Sequence, residues 1–88
     1  MEREVMPHAV YRHYKGNYYC VMTVAHHTSE WETEPLVCYY GLYGDGDTWV
    51  RPMDEFLSEA PQDIEANPTG QRYRFEIMHR EDVTERNE

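Results

Sequence analysis

The stretch YRHYKGNYYCVMTVAHH at residues 11–27 decides the fold. Lys15-Gly16-Asn17 supplies residues that tolerate positive φ, and a tight turn there joins a strand over Val10–Tyr14 to a second strand over Tyr18–His27. Working outward, TSEWETE at 28–34 is polar and reads as a loop around an isolated Trp31, leading to a third strand over Leu36–Tyr40. Gly41, Gly44 and Gly46 then break the pattern. Thr48–Arg51 forms a short fourth strand stopped by Pro52, which lacks the N–H a ladder needs, and Met53–Leu57 makes one helical turn. In Gln71–Met78 the apolar Tyr73, Phe75 and Ile77 alternate with Arg72, Arg74 and Glu76, the period of a strand with one buried face. Residues 1–8 read as a loose start, 9–79 as one domain, and 80–88 as a charged, flexible acidic tail.

Composition agrees with a β-rich core. Leu, Ile, Val and Phe make only 14 of 88 residues and the net charge is −9, a combination usually read as disordered. Eight Tyr and two Trp offset this, because each ring brings roughly 150–250 Å² of buriable surface. Five short strands in so short a chain point to a mostly β fold, an antiparallel sheet curled into a small barrel, since closure removes exposed edges. Counting in twos along the second strand puts Tyr18, Cys20, Met22 and Val24 on one face and Tyr19, Val21 and Ala25 on the other. The third strand likewise sets Leu36, Cys38 and Tyr40 against Val37 and Tyr39. Both strands are apolar on both sides. One small interior hides one side only, so part of the outer surface is expected to meet a protein partner, a second copy as a homodimer, or a ligand.

Several functions are disfavoured. The excess of Asp and Glu, 17 against 8 Lys and Arg, repels a phosphate backbone and weighs against nonspecific nucleic-acid binding. No apolar run reaches the ~18 residues of a membrane helix, and MEREVMPH lacks the features of a signal peptide, so a cytoplasmic location is expected. Cys20 and Cys38 are then reduced thiols, with no zinc or redox spacing. No G-x-S-x-G elbow, phosphate-cradling glycine loop or cofactor motif is present. His13, His26, His27 and the two cysteines are metal-ligand types in poor spacing, since adjacent His26 and His27 point to opposite faces of a strand. No metal, cofactor or catalytic residue is assigned.

The charges are unevenly spread. Between Val5 and Ser29 there is no carboxylate, whereas Arg12, Lys15 and four histidines lie there. Arg51, held extended by Pro52 and two residues after Trp49, shares a strand face with that ring and is placed to grip a carboxylate or phosphate, or to pair with Asp54 or Glu55.

The run YRHYKG, then Tyr19, Val21, Ala25 and His27, then the Leu36–Gly44 segment ending in LYG, then WVRP at 49–52 with Phe56, and Arg74-Phe75, resembles the small bacterial family known as domain of unknown function 1653. The resemblance spans roughly residues 10–77, with a longer loop at 28–34 as its departure. It implies a Src-homology-3-like β-barrel and no established activity. The residues themselves suggest a noncatalytic interaction module whose outer surface, built from Tyr11, Arg12, His13, His27, Tyr39, Trp49 and Arg51, binds a protein or peptide partner. Two alternatives stand beside it: single-stranded nucleic-acid binding by base stacking, and a subunit or regulator of an enzyme.

Overall fold

The computed structural model describes residues 3–79. Five antiparallel strands form one sheet: β1 (Val10–His13), β2 (Tyr18–Ala25), β3 (Leu36–Gly41), β4 (Thr48–Pro52) and β5 (Phe75–Ile77), with one helical turn, α1 (Met53–Phe56), after β4. The spatial order is β4-β3-β2-β1-β5. Four strands follow one another as a meander, and the long 57–74 connection returns the chain to lay β5 beside β1. The mostly β class and its antiparallel topology are as the sequence suggests, but the sheet does not close: β4 and β5 are its two edges. They nevertheless approach across the concave face, where the Arg51 guanidinium of β4 lies 5.9 Å from the ring centre of Phe75 in β5.

The β1–β2 hairpin is the one expected. Gly16 sits at φ 115°, a conformation costly for any residue with a Cβ, and the turn is closed by His13 accepting from Gly16 N–H and donating its own N–H to Asn17.

Register then sets two faces. Tyr11 stands opposite Tyr19, Val21 opposite Tyr39, Tyr39 opposite Trp49, Val37 opposite Arg51, and His13 opposite Phe75. These residues share the concave side. Between Val21 and Thr23 the ladder slips by one residue, a β-bulge at Met22. Beyond it Val24 faces Val37 and so turns inward, while Ala25 faces Leu36 on the convex side. Simple alternation from Tyr18 assigns these two residues the other way round, because a bulge is invisible to a period-two count.

The core fills the concave side with Tyr11, Val21, Val37, Tyr39, Phe56 and Phe75. Phe56 is carried there by α1, stacks on Phe75 at 4.2 Å and 6° between planes, and meets Tyr11 and Tyr39 edge-on. Such pairs contribute roughly 0.5–1.5 kcal/mol each beyond the area they bury. The convex side carries Val10, Cys20, Cys38 and Tyr40 half-buried and Tyr18, Met22 and Val50 exposed. Cys20 and Cys38 are free thiols there.

Two segments differ from expectation. Residues 3–8, read as a loose start, are anchored: Arg3 donates to the carbonyls of Leu57 and Phe75 and lies over the Tyr73 ring, Val5 packs on the core, and Met6 N–H donates to the Tyr11 hydroxyl. The strand expected over Gln71–Met78 is shortened to Phe75–Ile77. Residues 72–74 pair instead with 58–60, through Ala60 N–H to the Arg72 carbonyl, Arg74 N–H to the Ser58 carbonyl and a Glu59–Tyr73 bridge, and the Glu76 carboxylate accepts from the N–H groups of Arg72 and Tyr73. The tail at 80–88 lies outside the described residues.

Asn67 holds the long connection together. It is 4% exposed; its amide donates to the carbonyls of Pro61 and Gln71 and accepts from Thr69 and Gly70. Removing the amide leaves buried carbonyls unpartnered, so Asn67→Ala is expected to cost about 2–3 kcal/mol in urea unfolding. Ile64→Ala, at a side chain 82% exposed in the same connection, should change stability by less than about 0.5 kcal/mol; equal effects at the two positions would contradict this role for Asn67.

Candidate functional site

The aromatic core does not cover the whole concave face. Phe56 fills the half beneath α1, and the other half is an open pocket of about 260 Å³ lined by His13, Tyr19, Tyr39, Tyr43, Trp49, Arg51 and Phe75. Strand alternation delivers six of these from β1 to β5. The seventh, Tyr43, comes from the β3–β4 turn. Gly41 permits this, because a Cβ at that position would lie 2.9 Å from the Tyr43 ring and push it off the sheet.

Tyr39 and Phe75 form a solid floor, both almost completely buried, and Trp49 and Tyr43 stand at the mouth about half exposed. Tyr19 meets Tyr39, Tyr43 and Phe75 edge-on, and its hydroxyl shares a 3.0 Å hydrogen bond with that of Tyr43. Burial, together with this bond, pushes the Tyr19 phenol up to about 12. It therefore stays neutral, a donor and acceptor but not a base.

Arg51 brings the charge. Its Nε donates to the Tyr39 hydroxyl at 3.1 Å and its Nη1 to the Glu55 carboxylate at 3.0 Å, one helical turn later in the chain. Burial works against the guanidinium's charge, but these two partners outweigh it and hold Arg51 protonated. Both hydrogens of Nη2 have no protein partner among the described residues. The Arg51 side chain is 28% exposed and Glu55 54%, so the ion pair sits at the rim of the pocket that Arg51 lines.

His13 completes the ring. Lys15 N–H donates to its Nδ1 at 3.1 Å. A backbone N–H can only donate, so Nδ1 is unprotonated and the hydrogen resides on Nε2. Partial burial, then the positive charges of Arg74, Arg51 and Lys15, lower its pKa from 6.5 to about 4. Among the described residues no carboxylate lines the pocket. On a chain of net charge −9, this is a locally cationic, donor-rich recess.

Of the seven residues singled out by sequence, His13, Tyr39, Trp49 and Arg51 come together here, on the concave face instead of the outer surface expected. Tyr11 shares their face but is sealed beneath Phe56 at 1% exposure. Arg12, one residue on, must point to the other face, where its Nε donates to Gln71. His27 is exposed on the connection beyond β2. Tyr19, Tyr43 and Phe75 were not anticipated as site residues. The register pairing Tyr19 with the Tyr39 face and the small Gly41 before Tyr43 carry that signal in the sequence. Trp31, the ring in the lengthened loop, is 89% exposed and takes no part. Among the described residues no three His, Cys, Asp or Glu side chains converge on a metal position, and no helix is long and apolar enough to cross a membrane.

Residues 9–77 match the family model described as protein of unknown function (DUF1653). The chain belongs to this family. No curated protein and no solved structure matches it. DUF1653 membership brings no activity with it, so the pocket's chemistry is the guide to function.

The His13 environment gives a sign for pH dependence. The unfolded chain takes up a proton near 6.5 and the folded protein only near 4, so between these values the unfolded state holds more protons and acidification favours it. This contribution is fully present above 6.5 and is lost as the pH falls toward 4; solvent screening at a half-buried ring holds it to about 1–2 kcal/mol. His13→Gln is expected to flatten the unfolding free energy across that window relative to the parent protein. Parallel pH profiles would contradict the assignment.

Proposed function

We propose that this protein is a noncatalytic binding module that takes a segment of a protein partner into the concave pocket. One observation carries the reading: aromatic rings and a guanidinium with unused donors line a recess to which no described residue brings a carboxylate. Tyr, Trp and Arg are the side chains that dominate protein-binding energies when they sit in a desolvated pocket. Catalysis finds little support in the same residues. The Tyr19 phenol is pushed upward and His13 downward, away from the neutral range where a general base works. Among the described residues no Ser, Thr or Cys lines the recess.

Stacking on single-stranded nucleic acid is the weaker reading. It requires successive exposed rings along a cationic track, whereas the exposed Tyr18 lies on the convex face, opposite to Trp49 and Tyr43. A cytoplasmic setting in a bacterial cell suits a domain with two reduced cysteines on one face.

Selection from a random peptide display library tests the proposal. The parent protein should enrich related sequences, and a folded Trp49→Ala, Arg51→Ala double variant should lose that enrichment. Failure to enrich any sequence, or identical enrichment by both proteins, would remove the reading.

A further inference from the structure

The donors and acceptors of the pocket are unbalanced, and the imbalance names a ligand chemistry. Arg51 offers both hydrogens of Nη2. The Tyr19–Tyr43 hydroxyl pair uses one O–H internally and leaves the other to donate. His13 carries its hydrogen on Nε2 because Nδ1 is occupied by Lys15 N–H. Among the described residues, the carboxylate paired with these groups is that of Glu55, on the exposed rim and held by Nη1. An acceptor-only, negatively charged group meets all of these needs. One guanidinium with Nη2 open, set among neutral partners, matches the single charge of a carboxylate.

Size and shape narrow the source. At about 260 Å³ over a solid floor of Tyr39 and Phe75, the recess lies below the ~300–1,000 Å³ of ordinary small-molecule sites. It has room for about one residue. A chain end presents a carboxylate and a side chain on the same residue, which suits a cation set among rings. Resting on the peptide-binding reading above, we propose that the pocket captures the C-terminal residue of a partner protein. Arg51 pairs with the terminal carboxylate, and the rings of Trp49, Tyr43 and Tyr19 enclose the last side chain. The lowered pKa of His13, caused by burial and by Arg74, Arg51 and Lys15, is consistent with the positive potential an anion would meet there.

The probe is Trp49 fluorescence in a Trp31→Phe background, which removes the only other tryptophan at a fully exposed loop position. Three acetylated tetrapeptides are titrated: one ending in Phe with a free carboxylate, the same peptide as its amide, and an amide peptide bearing an internal Asp. The free acid should bind about tenfold or more tightly than either amide, the loss expected when a charge-assisted pair is removed. Glu55→Gln, at the exposed rim, should strengthen binding of the free acid several-fold by releasing Nη1, and Arg51→Gln should abolish the preference over the amide. Equal binding of acid and amide would overturn the carboxylate assignment while leaving a peptide site in place. Equal binding of the internal Asp peptide would overturn the chain-end assignment. Failure of all three peptides would overturn the inference, with the library selection deciding the peptide-binding reading separately.

Discussion

The stack of Phe56 on Phe75 is the contact on which the rest of the structure depends. Phe75 sits on an edge strand, Phe56 on the helical turn that follows the opposite edge strand, and their rings lie parallel at 4.2 Å. The contact therefore joins the two ends of a sheet that makes no hydrogen bonds between its edges. Phe75 also meets His13, Tyr19 and Tyr39, so one ring couples the buried core to the floor of the pocket. A chain with few aliphatic residues gains from rings a large area each and fixed edge-to-face geometry. The curl of the sheet and the shape of the recess follow from that packing.

Arg51 reaches the recess for a related reason. Trp49 and Arg51 alternate onto the concave face, Pro52 ends the strand, and the helical turn that carries Phe56 into the core also swings Glu55 back to the guanidinium. A half-buried cation is tolerable only with partners, and Tyr39 and Glu55 provide them without using every donor. A pocket of defined chemistry thus forms beside the core at no cost in unpaired polar groups: no buried side-chain polar atom among the described residues lacks a partner.

Much of the fold was legible because it rests on local signals. The first hairpin follows from Lys15-Gly16-Asn17, the stop of β4 from Pro52, and the inner face from alternation in strands two and three. What escaped depends on contacts between distant residues. The bulge at Met22, which exchanges Val24 and Ala25, leaves no mark in a period-two count. The shortening of β5 goes with the pairing of residues 72–74 to the distant 58–60 segment and with the Glu76 side chain reaching back to Arg72 and Tyr73. The anchoring of the N-terminal stretch depends on Arg3 finding carbonyls more than fifty residues away. For the candidate site, the residues singled out by sequence divide between the recess and other surfaces. Arg and Trp in WVRP do face a recess, but treating Tyr11, Arg12 and His13 as one cluster ignores that neighbours on a strand face opposite ways.

Unfolding of Phe56→Ala in urea tests the central constraint most directly. A side chain with no exposed surface that joins both edges of the sheet should cost about 3–5 kcal/mol when removed, enough to leave so small a domain largely unfolded. A loss under about 1 kcal/mol, with the domain intact, would mean that the aromatic stack does not hold the curl, and that the pocket beside it owes its shape to something else.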